Sequence, residues 1–249
     1  VLQEKNQRLG DTLNARTFAM AEQSGNPLMT ICSTCQGVMS QANERLLADP
    51  EYLASINEDL KEEGLEYKGT ADPKHLLWII AEDLGIDFLE SKIVNKLQGL
   101  KLAPFYGCYI VRPSKALGFE ENPGRKQALE EVIETVGGEV VDFPGKTLCC
   151  GFPILTINPE NSVNMVANHT IDAKDRGADA MVTPCPLCHL NLDGYQPNAA
   201  SARKREIDLP IIHLPQLLGL ALGISPEKMR LNKHIVSTKK LLSELVISP

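Results

Sequence analysis

The chain has 249 residues, 43% of them hydrophobic and 23% charged, with a formal net charge of −7. That length can bury a core without covalent staples, and seven cysteines are too few for a disulfide scaffold. The negative charge excludes the basic face of a nucleic-acid binder, no stretch approaches the roughly twenty apolar residues of a membrane span, and Val1-Leu-Gln-Glu-Lys-Asn contains no secretory apolar run, so a reducing, cytoplasmic setting is expected.

Residues 9–24 place Leu9, Leu13, Phe18, Met20 and Ala21 at helical spacing before Gly25-Asn26-Pro27 ends the helix. Leu28-Met-Thr-Ile reads as a short strand running into Cys32-Ser-Thr-Cys35, and Ser40 to Ala48 resumes as helix. The acidic stretch from Asp49 to Gly69 reads as a solvated helix that leads to the next element. Lys101 to Val111 is strand-like and delivers Cys108 directly after Gly107. Ala128, Leu129, Val132, Ile133 and Val136 form a helical stripe, Glu139 to Phe143 is the next strand, and a loop rich in glycine and proline carries Cys149-Cys150-Gly151. A helix from Pro159, a strand at Ala180-Met-Val-Thr and the loop Cys185-Pro-Leu-Cys188 follow.

Two segments repeat. Met29-Thr-Ile-Cys-Ser-Thr-Cys matches Val182-Thr-Pro-Cys-Pro-Leu-Cys at a fixed offset, and the stretch from His75 to Ile86 parallels that from His213 to Ile224, with His-Leu at the start and Leu-Gly-Ile at the end. The expected fold class is therefore α/β: tandem duplicated units with parallel sheets and cysteine loops at the carboxyl ends of strands, where open sheets place their sites. Residues 1–98 form the first repeat, 99–227 a second and complete one, and 228–249 a C-terminal helical extension, packed on the protein or, as the sharper alternative, lying on a membrane surface. The first repeat's counterpart of Cys149-Cys150 falls upstream of Val1, so the chain is expected to begin inside a longer protein.

Five cysteines spread over the second repeat, with forty residues between Cys108 and Cys149 and thirty-four between Cys150 and Cys185, can meet only in a folded domain. Thiols so placed in a reducing compartment point to metal binding or redox chemistry. Adjacent cysteines suit a multi-iron cluster better than one tetrahedral zinc. A zinc-stabilised docking module, and a metal-free dithiol enzyme working through Cys32 and Cys35, stay open on the residues alone. Phe105, Tyr106, Tyr109 and Phe152 flank the thiols, and His189 follows the last one, either as a donor to sulfur or substrate or as a surface histidine. His75 and His213 begin equivalent helices, which suggests a structural role.

The pattern Cys108, Cys149-Cys150-Gly151, Cys185-Pro-Leu-Cys188, in duplicated form, resembles the cysteine-rich CCG domain found in the B subunit of heterodisulfide reductase and its relatives. These include the extra subunit of atypical succinate dehydrogenases and fumarate reductases. The resemblance implies an oxidoreductase subunit with a [4Fe-4S] cluster, of non-cubane form, held by Cys108, Cys149, Cys150, Cys185 and Cys188. Cys32 and Cys35 would belong to a second, incomplete site holding another cluster or zinc. It implies electron transfer to or from a thiol/disulfide couple, or alternatively a quinone-linked role, with flavin- or iron-sulfur-containing partner subunits. Peripheral association with the inner face of a membrane would fit either. A Gly-x-Gly-x-x-Gly fingerprint is lacking, so a flavin or nicotinamide would reside on a partner.

Overall fold

The computed structural model describes residues 2–244. Six short strands are found among these residues, all in parallel pairings. β1 (Leu28–Thr30) pairs with β2 (Pro73–His75), and a second sheet has the order β4-β3-β5-β6, formed by β3 (Lys101–Pro104), β4 (Glu139–Val140), β5 (Ala180–Thr183) and β6 (Ile211–His213). Parallel strands need crossovers, and helices supply them.

The second sheet is apolar on both faces, as a helix-covered parallel sheet must be. Side chains alternate along each strand, and the alternation sorts the core. Leu102, Ala180, Val182 and Ile212 face one cluster with Leu129, Val132 and Trp78. Ala103, Met181 and Ile211 face the other, which also contains Phe105, Phe143, Cys150, Cys185 and Cys188. A third cluster, with Phe18, Leu46, Ile56 and Tyr67, holds the N-terminal helices together.

Local chemistry fixes the helix ends. The Asn6 side chain accepts from Leu9 N to start Gln7–Ser24, and Asp49 accepts from Glu51 N and Tyr52 N to start Pro50–Leu60, with proline at the first position. Asn158 and Pro159 do the same for Pro159–Asp175. A buried Asp11 carboxylate accepts from Arg45 at 2.5 and 3.0 Å and from Tyr52 Oη at 3.0 Å, tying three N-terminal helices together. Arg125 lies over the Trp78 ring at 4.1 Å and pairs with Glu82 at 2.6 Å, which joins the two sheets' surroundings.

The two sheets share a register. Thr30 stands opposite His75 in the first and Thr183 opposite His213 in the second, so the matched sequence segments are matched strand pairs. Several elements are shorter or longer than their patterns suggest. The strand expected over 101–111 ends at Pro104, because Tyr106 N and Gly107 N leave the sheet to donate to Lys146 O. The helix expected from Ser40 begins at Ser33, so the Cys-x-x-Cys lies in its first turn. Within the expected C-terminal helix, only a 3-10 turn at Leu231–Lys233 and an α-helix at Lys239–Glu244 are found among the described residues. Asp193 accepts from Ile235 N and Val236 N at 2.8 and 3.0 Å and holds that bend against the Pro186–Gly194 helix. Residues 245–249 lie outside the described residues.

Candidate metal centre

Every cysteine loop follows the carboxyl end of a strand: Cys32 after β1, Cys108 after β3, Cys149-Cys150 after β4 and Cys185 after β5. Cys32 and Cys185 are the N-caps of Ser33–Ala48 and Pro186–Gly194, with closely similar backbone angles, φ −138 and ψ 119 against φ −125 and ψ 117. Cys35 and Cys188 each lie in the first turn of the helix that follows. Thiols at helix N-termini ionise more readily, since the helix dipole favours negative charge there.

Backbone contacts zip the loops together. Lys146 O accepts from Tyr106 N at 2.8 Å and Gly107 N at 3.3 Å, and Arg112 donates to Thr147 O at 3.0 Å, so the Cys108 loop is bound along the segment that leads into Cys149. His169 Nε2 donates to Cys149 O at 2.9 Å and Asn191 Nδ2 donates to Cys150 O at 2.7 Å. The adjacent pair is thus gripped through both carbonyls by side chains of the two flanking helices. Gly107 has φ +72, and a Cβ there would lie 2.9 Å from Cys188 Sγ; Gly151 has φ +94, and a Cβ there would lie 2.9 Å from Ser162 O. Neither position has room for a side chain.

All seven cysteines are free thiols. They form one unbroken run of neighbours in the order Cys108, Cys149, Cys150, Cys188, Cys185, Cys32, Cys35. The Cys32 and Cys185 sulfurs are 3.9 Å apart, and Thr34 Oγ1 is 3.7 Å from Cys185 Sγ. The five expected ligands therefore meet, Cys108 included, and Cys32, read from sequence as part of a second site, sits directly against them.

Crowding divides the thiols into two states. Hydrogen bonds from Cys108 and Cys150 hold Cys149 down to about 2, and those from Cys188 and Cys32 depress Cys185 strongly. Their donors move the other way: Cys150 is pushed up to about 12 by Cys149, and Cys108, Cys188 and Cys32 are also raised. Cys35, exposed at the end of the run, falls to about 7 beside Cys32. Like charges at this spacing cannot all ionise without a compensating cation. A metal supplies that charge, and metal ligation deprotonates thiols outright. The donor set therefore fits a thiolate-bound metal centre.

Cys108, Cys150, Cys185 and Cys188 line a cavity of about 260 Å³ together with Ser33, Thr34, Tyr109, Phe152, Pro153, Leu155, Thr156 and Leu187. No Asp, Glu, Lys, Arg or His side chain is among these residues. Of the aromatic groups flanking the cysteines, Tyr109 and Phe152 face the cavity, whereas Phe105 and Tyr106 are buried in the core.

The cysteine-rich CCG domain family matches residues 102–193. The chain is 37% identical to the 8-methylmenaquinol:fumarate reductase membrane anchor subunit of Wolinella succinogenes, over 92% of this chain and 78% of that protein. It is 34% identical to the B subunit of the ferredoxin/F(420)H(2)-dependent CoB-CoM heterodisulfide reductase of Methanosarcina acetivorans, over 94% of this chain and 78% of that one. The chain belongs to the CCG family of heterodisulfide reductase B subunits and their relatives. Its fold is similar to a crystal structure of a hypothetical protein from Helicobacter pylori, at a TM-score of 0.72 and 18% identity, over 91% of this chain and 41% of that structure. The chain thus spans less than half of that solved protein.

Two features around this CCG centre are absent from the motif. His75 Nε2 lies 3.1 Å from Pro184 O, and His213 Nε2 lies 3.2 Å from Ile31 O. His189 packs against His213 and His234, with ring centroids 6.4 and 4.7 Å apart. His189, Asp193 and His234 place nitrogen and oxygen atoms within 4.8 Å of one another, and burial lowers His189 to about 4. Among the described residues the three do not bond to one another: Asp193 is taken by Ile235 N and Val236 N, and His189 Nε2 and His234 Nδ1 are buried without a hydrogen-bond partner. Gln216 is oriented by His213 N and Met229 O, so its amide donates to His234 Nε2 at 3.0 Å; this puts the imidazole proton on Nδ1. Spacing identifies His189 and Asp193 as one helix face, i and i+4, but nothing in the sequence brings His234 to them.

Proposed function

We propose that the chain is an iron-sulfur redox subunit of a multi-subunit oxidoreductase, exchanging electrons with a thiol/disulfide couple in the manner of the heterodisulfide reductase B subunit. The observation that carries this reading is the continuous run of free thiols opening on a cavity of about 260 Å³. Cys108, Cys149, Cys150, Cys185 and Cys188 would hold a [4Fe-4S] centre of non-cubane form. Cys32 and Cys35 would belong to a second site, for a cluster or zinc, abutting the first. Such a centre supplies one-electron chemistry and a sulfur-binding metal.

The chain's own residues orient and shield. Tyr109, Phe152, Pro153, Leu155 and Leu187 limit water at the sulfurs, while His169 and Asn191 fix the adjacent pair. The shared strand register supports dividing the protein into two repeats at about residue 98, with 228–249 as an extension. Among the described residues of the extension, Val236 and Leu241 are buried, with Val236 N bonded to Asp193 and Leu241 in the core cluster.

A second reading is a quinone-linked electron-transfer or anchoring role in a fumarate reductase or succinate dehydrogenase type of complex. It is favoured by the largely apolar lining, which has no Lys or Arg to attract an anionic thiol and suits a neutral ring better. No helix among the described residues is long and apolar enough to cross a membrane, so attachment through these residues would be peripheral, and the inner, cytoplasmic face is the proposed location. Flavin- or iron-sulfur-containing subunits would be its partners.

The test is anaerobic purification with iron and zinc counted per chain, followed by electron paramagnetic resonance of the oxidised complex. A signal that changes on adding a thiol supports disulfide chemistry. A signal that ignores thiols yet responds to a quinol supports the second reading. A colourless zinc protein overturns both.

A further inference from the structure

His75 and His213 occupy matching positions in the two repeats, each at the end of a strand and the start of a helix. Each makes its hydrogen bond to the cysteine loop of the other repeat, although the Pro184 carbonyl also lies near the His213 ring. His75, after β2, reaches Pro184 O, the carbonyl before Cys185; His213, after β6, reaches Ile31 O, the carbonyl before Cys32. A carbonyl only accepts, so both Nε2 atoms carry the proton. For His75 the tautomer is fixed twice, because Nδ1 accepts from Leu77 N at 3.0 Å. Between the two crossed bonds lies the 3.9 Å approach of Cys32 to Cys185.

We propose that His75 and His213 are positioning residues, each clasping the Cys-x-x-Cys loop of the opposite repeat and so keeping the two loops in register across their shared sulfur contact. The inference rests on the reading that these loops bind metal, and it applies whether the metal is iron or zinc. Loss of one clasp frees the loop it holds: His75 guards Cys185 and Cys188, and His213 guards Cys32 and Cys35.

The experiment uses the full chain, purified anaerobically with its metal. His75→Asn keeps an acceptor for Leu77 N, as asparagine is a good N-cap, but its side chain is too short for Pro184 O. His75→Gln restores the reach of an N–H donor. Timed iodoacetamide labelling, mapped by mass spectrometry, is the readout, alongside metal per chain. In His75→Asn, Cys185 and Cys188 are expected to label several-fold faster while Cys32 and Cys35 keep their rates, and His75→Gln should recover protection. In His213→Asn the faster pair should be Cys32 and Cys35. Should His75→Asn fail to fold, His213→Asn, whose ring is partly exposed, reads the same crossing. Faster labelling in the histidine's own repeat, a uniform rise at all seven thiols, or no change in either variant would overturn the clasp. A wild-type protein holding only zinc would sink the redox reading and leave the crossed pattern readable.

Discussion

The Cys32 and Cys185 sulfurs lie 3.9 Å apart although 153 residues separate them in the chain. Cys185 touches both Cys188 and Cys32 and so sits inside the run of thiols, whereas Cys35 is exposed at its end. Replacing an inner sulfur breaks the run in two; replacing the terminal one only shortens it. If the proposed metal centre is present, Cys185→Ser is therefore expected to lose most of the bound metal and Cys35→Ser to keep the greater part, as measured by metal analysis of anaerobically purified protein. Equal retention by both variants would contradict a continuous site.

Gly107 tests how closely backbone and sulfur are fitted. At φ +72 an alanine is strained by about 1–2 kcal/mol, and its Cβ would press on Cys188 Sγ at 2.9 Å. Gly177 has φ +92 with open space around it, so its alanine variant carries the strain without the collision. Gly107→Ala should lose more stability than Gly177→Ala in urea unfolding, and only Gly107→Ala should shift the visible spectrum. A spectral change in Gly177→Ala, or none in Gly107→Ala, would show that the close approach does not shape the centre.

The fold class was legible because β5 is a short apolar run between turn signals and the Cys-x-x-Cys recurs after β1 and after β5. Both features are local. The grouping of the five cysteines was legible for a different reason: an adjacent pair and a Cys-x-x-Cys stand out in a sequence, and their order resembles the CCG pattern. What escaped the sequence is contact between segments far apart in the chain. His75 reaches Pro184 O, and His234 reaches the Asp193 helix face, over separations that no periodicity encodes. The helix start at Ser33 escaped as well, because Cys32 caps without a side-chain hydrogen bond, so the usual serine, threonine or aspartate signal is missing there.

Asp11 anchors the N-terminal helices by a mechanism unrelated to metal. Its carboxylate is fully buried and satisfied by Arg45 and Tyr52. Asp11→Ala strands the guanidinium. Breaking a buried pair by removing one partner costs about 3–5 kcal/mol, and Arg45 keeps some water access, which places the expected loss near the lower end, about 3 kcal/mol. Urea unfolding should show a lower midpoint with an unchanged slope, and metal per chain in the recovered protein should stay at the wild-type level. A loss below about 1 kcal/mol would mean that the pair behaves like a surface one.

Metal removal should make stability depend on alkaline pH in a way that the loaded protein does not share. In the stripped chain Cys150 titrates only at about 12, held up by Cys149, against an ordinary value of 9.0. Between those values the folded state keeps a proton that the unfolded state has released, so stability falls as pH rises above 9. Each such thiol contributes up to about 1.4 kcal/mol per pH unit, and Cys108 and Cys188 are raised in the same sense. Cys149, held down to about 2, acts oppositely: its contribution is fully present above 9 and declines as pH falls below that. The stripped chain is thus expected to be most stable near pH 9. Ligated thiolates carry no proton to lose, so the gap in melting temperature between loaded and stripped protein should widen from pH 9 to pH 10. A gap that stays constant or narrows over that interval would show that the raised thiols are not crowded together in the folded chain.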